Sequence, residues 1–220
     1  MTDLLWTHPK DPAIATLLLA HGAGAAMDSG FMTRFADCAA AEGLAVARFE
    51  FAYMAARRNG GPKRPPPRAD KLVGEYQKVA QEVLDSSDTP LLIGGKSMGG
   101  RVAAMLAGGG SLPRRIAGVV CLGYPFHTKG SGQNKEQVWR LEPLRESHRP
   151  IFIAQGERDP FGSAAELDGI DLPDHVRLEW LPDGNHDLAP RGASPATWSG
   201  NLTAAAAGAA RFARDLLSAG

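Results

Sequence analysis

The sequence predicts an α/β fold: a mostly parallel central sheet with helices on both faces. Three observations predict it. Short apolar runs alternate with amphipathic or alanine-rich segments from end to end, as expected of strands buried on both faces and joined by crossover helices. The 220 residues are enough for one domain with a substantial core, so residues 1–220 are read as a single domain. The residues able to do chemistry stand just after the apolar runs, at the carboxyl ends of the strands where open α/β sheets bind ligands.

The elements follow in order. The opening segment "MTDLLWTHPKDP" holds Asp3, Pro9 and Pro12 and no basic stretch leading into an apolar run, so it does not read as a secretory signal. "TLLLAH" is the first strong strand, and the apolar run Ala15 to Ala20 around it is far too short to cross a bilayer. "AVARFEF" is the next, followed by the basic Pro/Gly loop "RRNGGPKRPPPR". Leu72, Tyr76, Val79 and Val83 then recur at helical spacing. "PLLIGGK" is a strand and "RVAAMLAG" a helix; "IAGVVCLGY", "PIFIAQG" and "VRLEWLP" are strands. The insert from His127 to Arg149 has room for a loop and one short helix, which leaves little or no cap. Leu202, Ala206, Ala209, Phe212 and Leu216 mark a last helix with one apolar face.

Bulk composition excludes several classes. Basic and acidic residues both number 24, so neither nucleic acid nor a membrane surface is expected as a partner. The 2 cysteines, Cys38 and Cys121, form no CxxC or Cys/His cluster, which points to a reduced compartment, no structural zinc, and two ordinary buried small residues. A cytoplasmic protein without metal or cofactor is expected.

The stretch "IGGKSMGGR" (93–101) overlays two patterns with different chemistries. As GxxxxGK[ST] it would cradle nucleotide phosphates, but the glycine required five residues before Gly95 is Pro90, and strand residues Leu91 to Ile93 replace the loop. As GxSxG it places Ser97 on a sharp strand-to-helix turn, where Gly95 and Gly99 let the two backbones approach. The Met98 amide, at the start of the next helix, is then one candidate oxyanion donor.

A serine hydroxyl needs an imidazole to take its proton and a carboxylate to orient that imidazole. Asp159 and His186 follow Ser97 in the order Ser, acid, His, each just past a strand. Glu157 lies closer to its strand and is read as bracing the loop; Asp187 adjoins the histidine; His127 precedes the acid and breaks the order. The second oxyanion donor is expected from His21-Gly22-Ala23-Gly24, with the Ala23 amide first and Gly22 second, while His21 fixes the loop. Pocket walls are assigned to Gly22, Tyr53, Met54, Tyr124, Phe126, His127 and Phe161, with core packing as the alternative for the large side chains. The basic loop from Arg57 to Lys71 is read as a solvated loop in preference to a site for an anionic substrate or acidic partner.

These motifs resemble the α/β-hydrolase superfamily over nearly the whole chain: the HGxG-type loop at His21, the GKSMGG elbow at Ser97, "QGERDPFG" with Asp159 and "GNHDL" with His186. Within it the chain looks most like small, capless, dienelactone-hydrolase-related proteins. "RFEFAYM", "GGKSMGGR", "LGYPFH" and "QGERDPFG" resemble a group that includes a testis-expressed protein and a chromatin-complex subunit. Dienelactone hydrolases use cysteine where this chain has Ser97, so the resemblance implies a serine hydrolase of small acyl esters or thioesters. An acyltransferase, a peptidase or a non-catalytic module on the same fold are the alternatives.

Overall fold

The computed structural model describes residues 2–110, 112–128 and 137–218. In chain order the elements are β1 (Leu5–Thr7), β2 (Ala15–Ala20), α1 (Gly30–Ala41), β3 (Leu44–Phe49), α2 (Ala52–Arg58), α3 (Ala69–Ser86), β4 (Leu91–Lys96), α4 (Met98–Ala107), β5 (Ile116–Leu122), α5 (Glu142–Arg145), β6 (Ile151–Gly156), α6 (Ala164–Leu167), β7 (Val176–Leu181) and α7 (Trp198–Ser218).

Strands β2, β3, β4 and β6 are buried at every residue, which is why they read as unbroken apolar runs. Their side chains alternate between two cores. Leu18, Ala20, Phe49 and Ile93 face α3 and α4, while Leu17, Leu19, Val46 and Leu92 face α1 and α7. Each leucine so enclosed contributes about 1.5–3 kcal/mol over leaving it in water. Leu72, Tyr76, Val79 and Val83 of α3 and Leu202, Ala206, Ala209 and Phe212 of α7 are the stripes that cover the two faces.

The seven strands stand in the order β1-β3-β2-β4-β5-β6-β7, and only β1 is antiparallel to its neighbour. The chain moves outward from β2 to β3 and then returns to the other side of β2 as β4, so the strand order reverses between β2 and β4. A crevice opens at such a switch point. The register places Ala20 beside Gly95, which brings the loop after β2 against the turn after β4. The Tyr76 hydroxyl, 2.7 Å from both the Leu18 and Gly94 carbonyl oxygens, ties α3 to this same strand pair.

Elements β1, α1, α2 and α6 were not assigned from the sequence. Cys121 is fully buried, but Cys38 is only partly so, near Thr203 of α7, a correction to its reading as a buried residue. Between β5 and β6 the described chain holds the four-residue α5, and residues 129–136 of the expected insert lie outside the described residues. No described helix is long and apolar enough to cross a membrane.

Candidate active site

Ser97 follows β4 directly and caps α4 with φ 51° and ψ −114°, a backbone conformation that costs a non-glycine residue of order 1–3 kcal/mol. The turn closes only because its neighbours lack side chains. A methyl group on Gly95 would stand 2.5 Å from the Gly99 carbonyl carbon, and one on Gly99 would stand 2.6 Å from the Ala20 oxygen. The Ser97 N–H donates to the Leu122 oxygen and the Arg101 N–H donates to the Ser97 oxygen, so the turn is fixed to both β5 and α4. The N–H groups that open α4 have no partner within the helix and face the turn.

Ser97, His186 and Asp159 form one hydrogen-bonded chain. The Ser97 Oγ lies 2.8 Å from His186 Nε2, and His186 Nδ1 lies 2.8 Å from Asp159 Oδ2. With Nδ1–H donating to the carboxylate, Nε2 is left to accept the serine proton. Asp159 is fully buried, and its Oδ1 accepts the Phe161 N–H at 2.9 Å. The Phe161 ring lies 4.6 Å from the imidazole, centre to centre. In this geometry an imidazole can take up a hydroxyl proton while a buried carboxylate stabilises the cation that forms.

The loop after β7 holds His186 in place through paired charges. Arg158 Nε and Arg191 donate to the Asp183 carboxylate, each at 2.7 Å. Hydrogen bonds from the Arg191 side chain and backbone, followed by the Arg158 charge, hold the Asp183 carboxyl down at about 2. Glu157 accepts the Asp183 N–H at 2.7 Å and so braces this loop. Asn185 Oδ1 accepts the N–H groups of Asp187 and Ala189.

The loop after β2 is held differently. His21 is fully buried: its Nδ1 donates to the Gly22 oxygen at 2.6 Å and its Nε2 accepts the Phe51 N–H. Burial pushes its pKa down, which suits a neutral ring bridging two backbone groups. The Tyr53 hydroxyl donates to the Ala23 oxygen at 3.1 Å. Gly22 sits beside Ser97, where an added methyl would be 3.8 Å from its Cβ.

Two cavities, of about 360 and 300 Å³, meet at Ser97 and share Ala23 and Phe161 as walls. The smaller is largely apolar, with Gly22, Phe31 and Met32, and it includes Lys96. Burial pushes the Lys96 amine below its usual value, while Asp187, 3.4 Å away, and then Asp159 draw it back up. The larger is walled by Pro66, Pro67, Met98, Arg101 and Arg140.

The structure therefore brings together Ser97, Met98, Ala23, Gly22, Asp159, Phe161 and His186, but not every expected wall. Met54, Tyr124, Phe126 and His127 are core residues, at most 4 % exposed. The chain after β5 curls inward, so that Phe126 packs on Tyr124 and His127 lies against Trp139 with Nε2 3.5 Å from Glu166. Tyr53 braces the loop from behind. Asp187 pairs with Lys96 and makes no bond to the His186 ring. Sequence reasoning missed Arg101 and Arg140. For Arg101 a signal was present, since a residue four past Ser97 lies one helical turn on and faces the same way. Among the described residues no group of three or more His, Cys, Asp or Glu is placed to hold a metal ion.

The reversed strand order, the glycine-flanked turn and a β5–β6 connection whose described residues hold only the short α5 define an α/β-hydrolase fold with little or no cap. The chain belongs to the alpha/beta hydrolase domain family, which it matches over residues 13–214. No curated protein matches its sequence. Among solved structures it is similar to the esterase domain of a Rhodothermus marinus protein, with 17 % identity, TM-score 0.63, and 96 % of this chain and 91 % of that one covered. It is also similar to a Xanthomonas campestris protein described as an α/β serine hydrolase without lid, with 17 % identity, TM-score 0.63, and coverage of 96 % and 88 %. A third is dienelactone hydrolase from Anabaena variabilis, with 20 % identity, TM-score 0.64, and coverage of 96 % and 90 %. At these identities the likeness is one of fold.

Proposed function

We propose that the chain is a serine hydrolase, one catalytic domain along its length, that cleaves small carboxylic esters or thioesters through an acyl-enzyme on Ser97. The observation that carries this reading is the pair of 2.8 Å contacts linking Ser97 to His186 and His186 to Asp159 at a strained, helix-capping serine. The esterase and serine hydrolase names of the structural neighbours support it.

In the proposed cycle the Ser97 oxygen attacks the acyl carbon while His186 Nε2 takes the hydroxyl proton. Asp159 holds the ring in the reactive tautomer and stabilises the imidazolium. The Met98 and Ala23 amides donate to the tetrahedral oxyanion, and each such donor supplies about 3 kcal/mol of barrier reduction. His186 then protonates the departing alkoxide or thiolate, leaving the acyl group on Ser97. A water molecule, deprotonated by the same imidazole, attacks the acyl carbon, and the carboxylic acid leaves as the serine recovers its proton. No step draws on a cofactor or metal.

Steady-state hydrolysis of p-nitrophenyl butyrate and of a butyryl thioester tests this. Turnover by the wild type that is abolished in Ser97→Ala is the expected result. Turnover that survives the substitution, or none at all by folded wild-type protein, contradicts it.

A further inference from the structure

Several arginines among the described residues are matched by carboxylates. Arg58 pairs with Glu50 and Asp28, Arg158 and Arg191 with Asp183, and Arg177 and Arg211 with Glu179. Even in the larger cavity beside Ser97, Arg68 is matched by Asp70 at 3.1 Å. Arg101 and Arg140 break the pattern. Both line that cavity and both are partly buried, yet among the described residues neither guanidinium has a hydrogen-bond or ion-pair partner. Arg101 Nε is fully buried and has no acceptor among the described residues.

Three further features make this arrangement unfavourable when the cavity holds only water. Arg101 lies in the first turn of α4, which carries no acidic residue, so its charge meets the positive end of the helix dipole. The two guanidiniums feel one another: burial first, and the Arg101 charge second, push Arg140 below its usual value. Each also gives up hydration without an acceptor among the described residues in return.

Both backbones are nevertheless held firmly. The Arg101 N–H donates to the Ser97 oxygen, the Arg140 N–H donates to the Phe126 oxygen at 2.7 Å, and the Tyr124 hydroxyl donates to the Arg140 oxygen at 2.8 Å. The core residues Tyr124 and Phe126 thus fix one arginine while the nucleophile turn fixes the other. An oxyanion between them would satisfy the orphaned donor, relieve the repulsion and complement the helix end, and the planar fork of arginine suits carboxylate and phosphate oxygens.

We propose that Arg101 and Arg140 together recognise a carboxylate or phosphate group on the substrate whose acyl carbon is presented to Ser97. The inference rests on the hydrolase reading for the word substrate, but the anion site itself does not. The smaller, apolar cavity on the other side of Ser97 then takes the uncharged part of the molecule.

Two measurements separate the claims. In the first, kcat/KM is compared for p-nitrophenyl hemisuccinate and p-nitrophenyl butyrate. Wild type is expected to prefer the anionic ester by at least about tenfold, and Arg101→Gln or Arg140→Gln to reduce that ratio by about tenfold, the loss of one charge-assisted hydrogen bond. In the second, succinate and inorganic phosphate are titrated calorimetrically into the Ser97→Ala protein, with and without each arginine substitution. Binding that weakens about tenfold on removing either arginine is expected, and the tighter anion identifies the group. Both glutamine variants remove an unmatched cation, so they should fold at least as well as wild type, which thermal melting checks. No binding of either anion, or binding indifferent to both arginines, overturns the site. Ester turnover without the anionic preference overturns its role toward substrate. Arginine-dependent binding with no turnover of either ester keeps the anion site and removes the hydrolase.

Discussion

The loop after β7 and the wall made by Arg101 and Arg140 flank the same serine but treat charge in opposite ways. In the loop, Asp183 collects donors from Arg158 and Arg191, Glu157 and Asn185 occupy exposed backbone N–H groups, and His186 is held to the Asp159 carboxylate. In the wall, two cations line one cavity with no hydrogen-bond or ion-pair partner among the described residues. Matched charge fixes geometry and asks for no ligand. Unmatched charge, held by a rigid backbone, marks a place where something else completes the pairing.

The largest expected effects break the framework side of this contrast. Asp159→Asn should lower ester turnover by about 10³–10⁴-fold, because an amide at this position favours the wrong tautomer of His186; steady-state rates check it, with retained near-native melting showing that geometry survives. Gly95→Ala comes next. It forces a methyl group against the α4 backbone and should destabilise the fold by about 1–3 kcal/mol, read from denaturant unfolding. Gly60→Ala, at a residue with positive φ but open space around it, should cost less than Gly95→Ala.

Smaller effects sharpen the comparison by their sign. Arg101→Gln should leave stability unchanged or raise it by roughly 0.5 kcal/mol, since it removes a cation from a helix N-terminus. Asp183→Asn should lower the melting temperature near neutral pH. The Asp183 carboxyl is depressed to about 2 from an ordinary 3.8, so its contribution is present above the ordinary value and is lost as pH falls toward the folded one. The melting difference between wild type and Asp183→Asn should therefore shrink between pH 4 and pH 2. A difference that stays constant across that window would show that the Asp183 charge does not hold the loop.

Much of this contrast could be read in advance on one side only. The strands were legible because burial on both faces leaves unbroken apolar runs such as Leu17 to Ala20, and α3 and α7 because one stripe of each repeats at helical spacing. Strand β1, three residues long, is too short to show a period, and α2 presents only Met54 to the core. Ser97, Asp159 and His186 stood out because strand ends in a parallel sheet converge, so chain order and position carry spatial information. Tyr124 and Phe126 sat at a strand end too, but whether an aromatic lines a cleft or turns under it depends on where the chain goes next. Arg101 and Arg140 are 39 residues apart by number, and their proximity depends on how the β5–β6 connection folds back over α4. The basic loop drew attention by composition, yet its Arg58 and Arg68 are paired.

The most direct test of the central claim is intact-mass detection of a fluorophosphonate adduct on the folded protein. The account predicts one adduct on wild type, none on Ser97→Ala, and much slower labelling of His186→Ala, whose serine has lost its base. Labelling that persists in Ser97→Ala, or a wild-type protein that stays unlabelled, would contradict an activated nucleophile at the turn after β4.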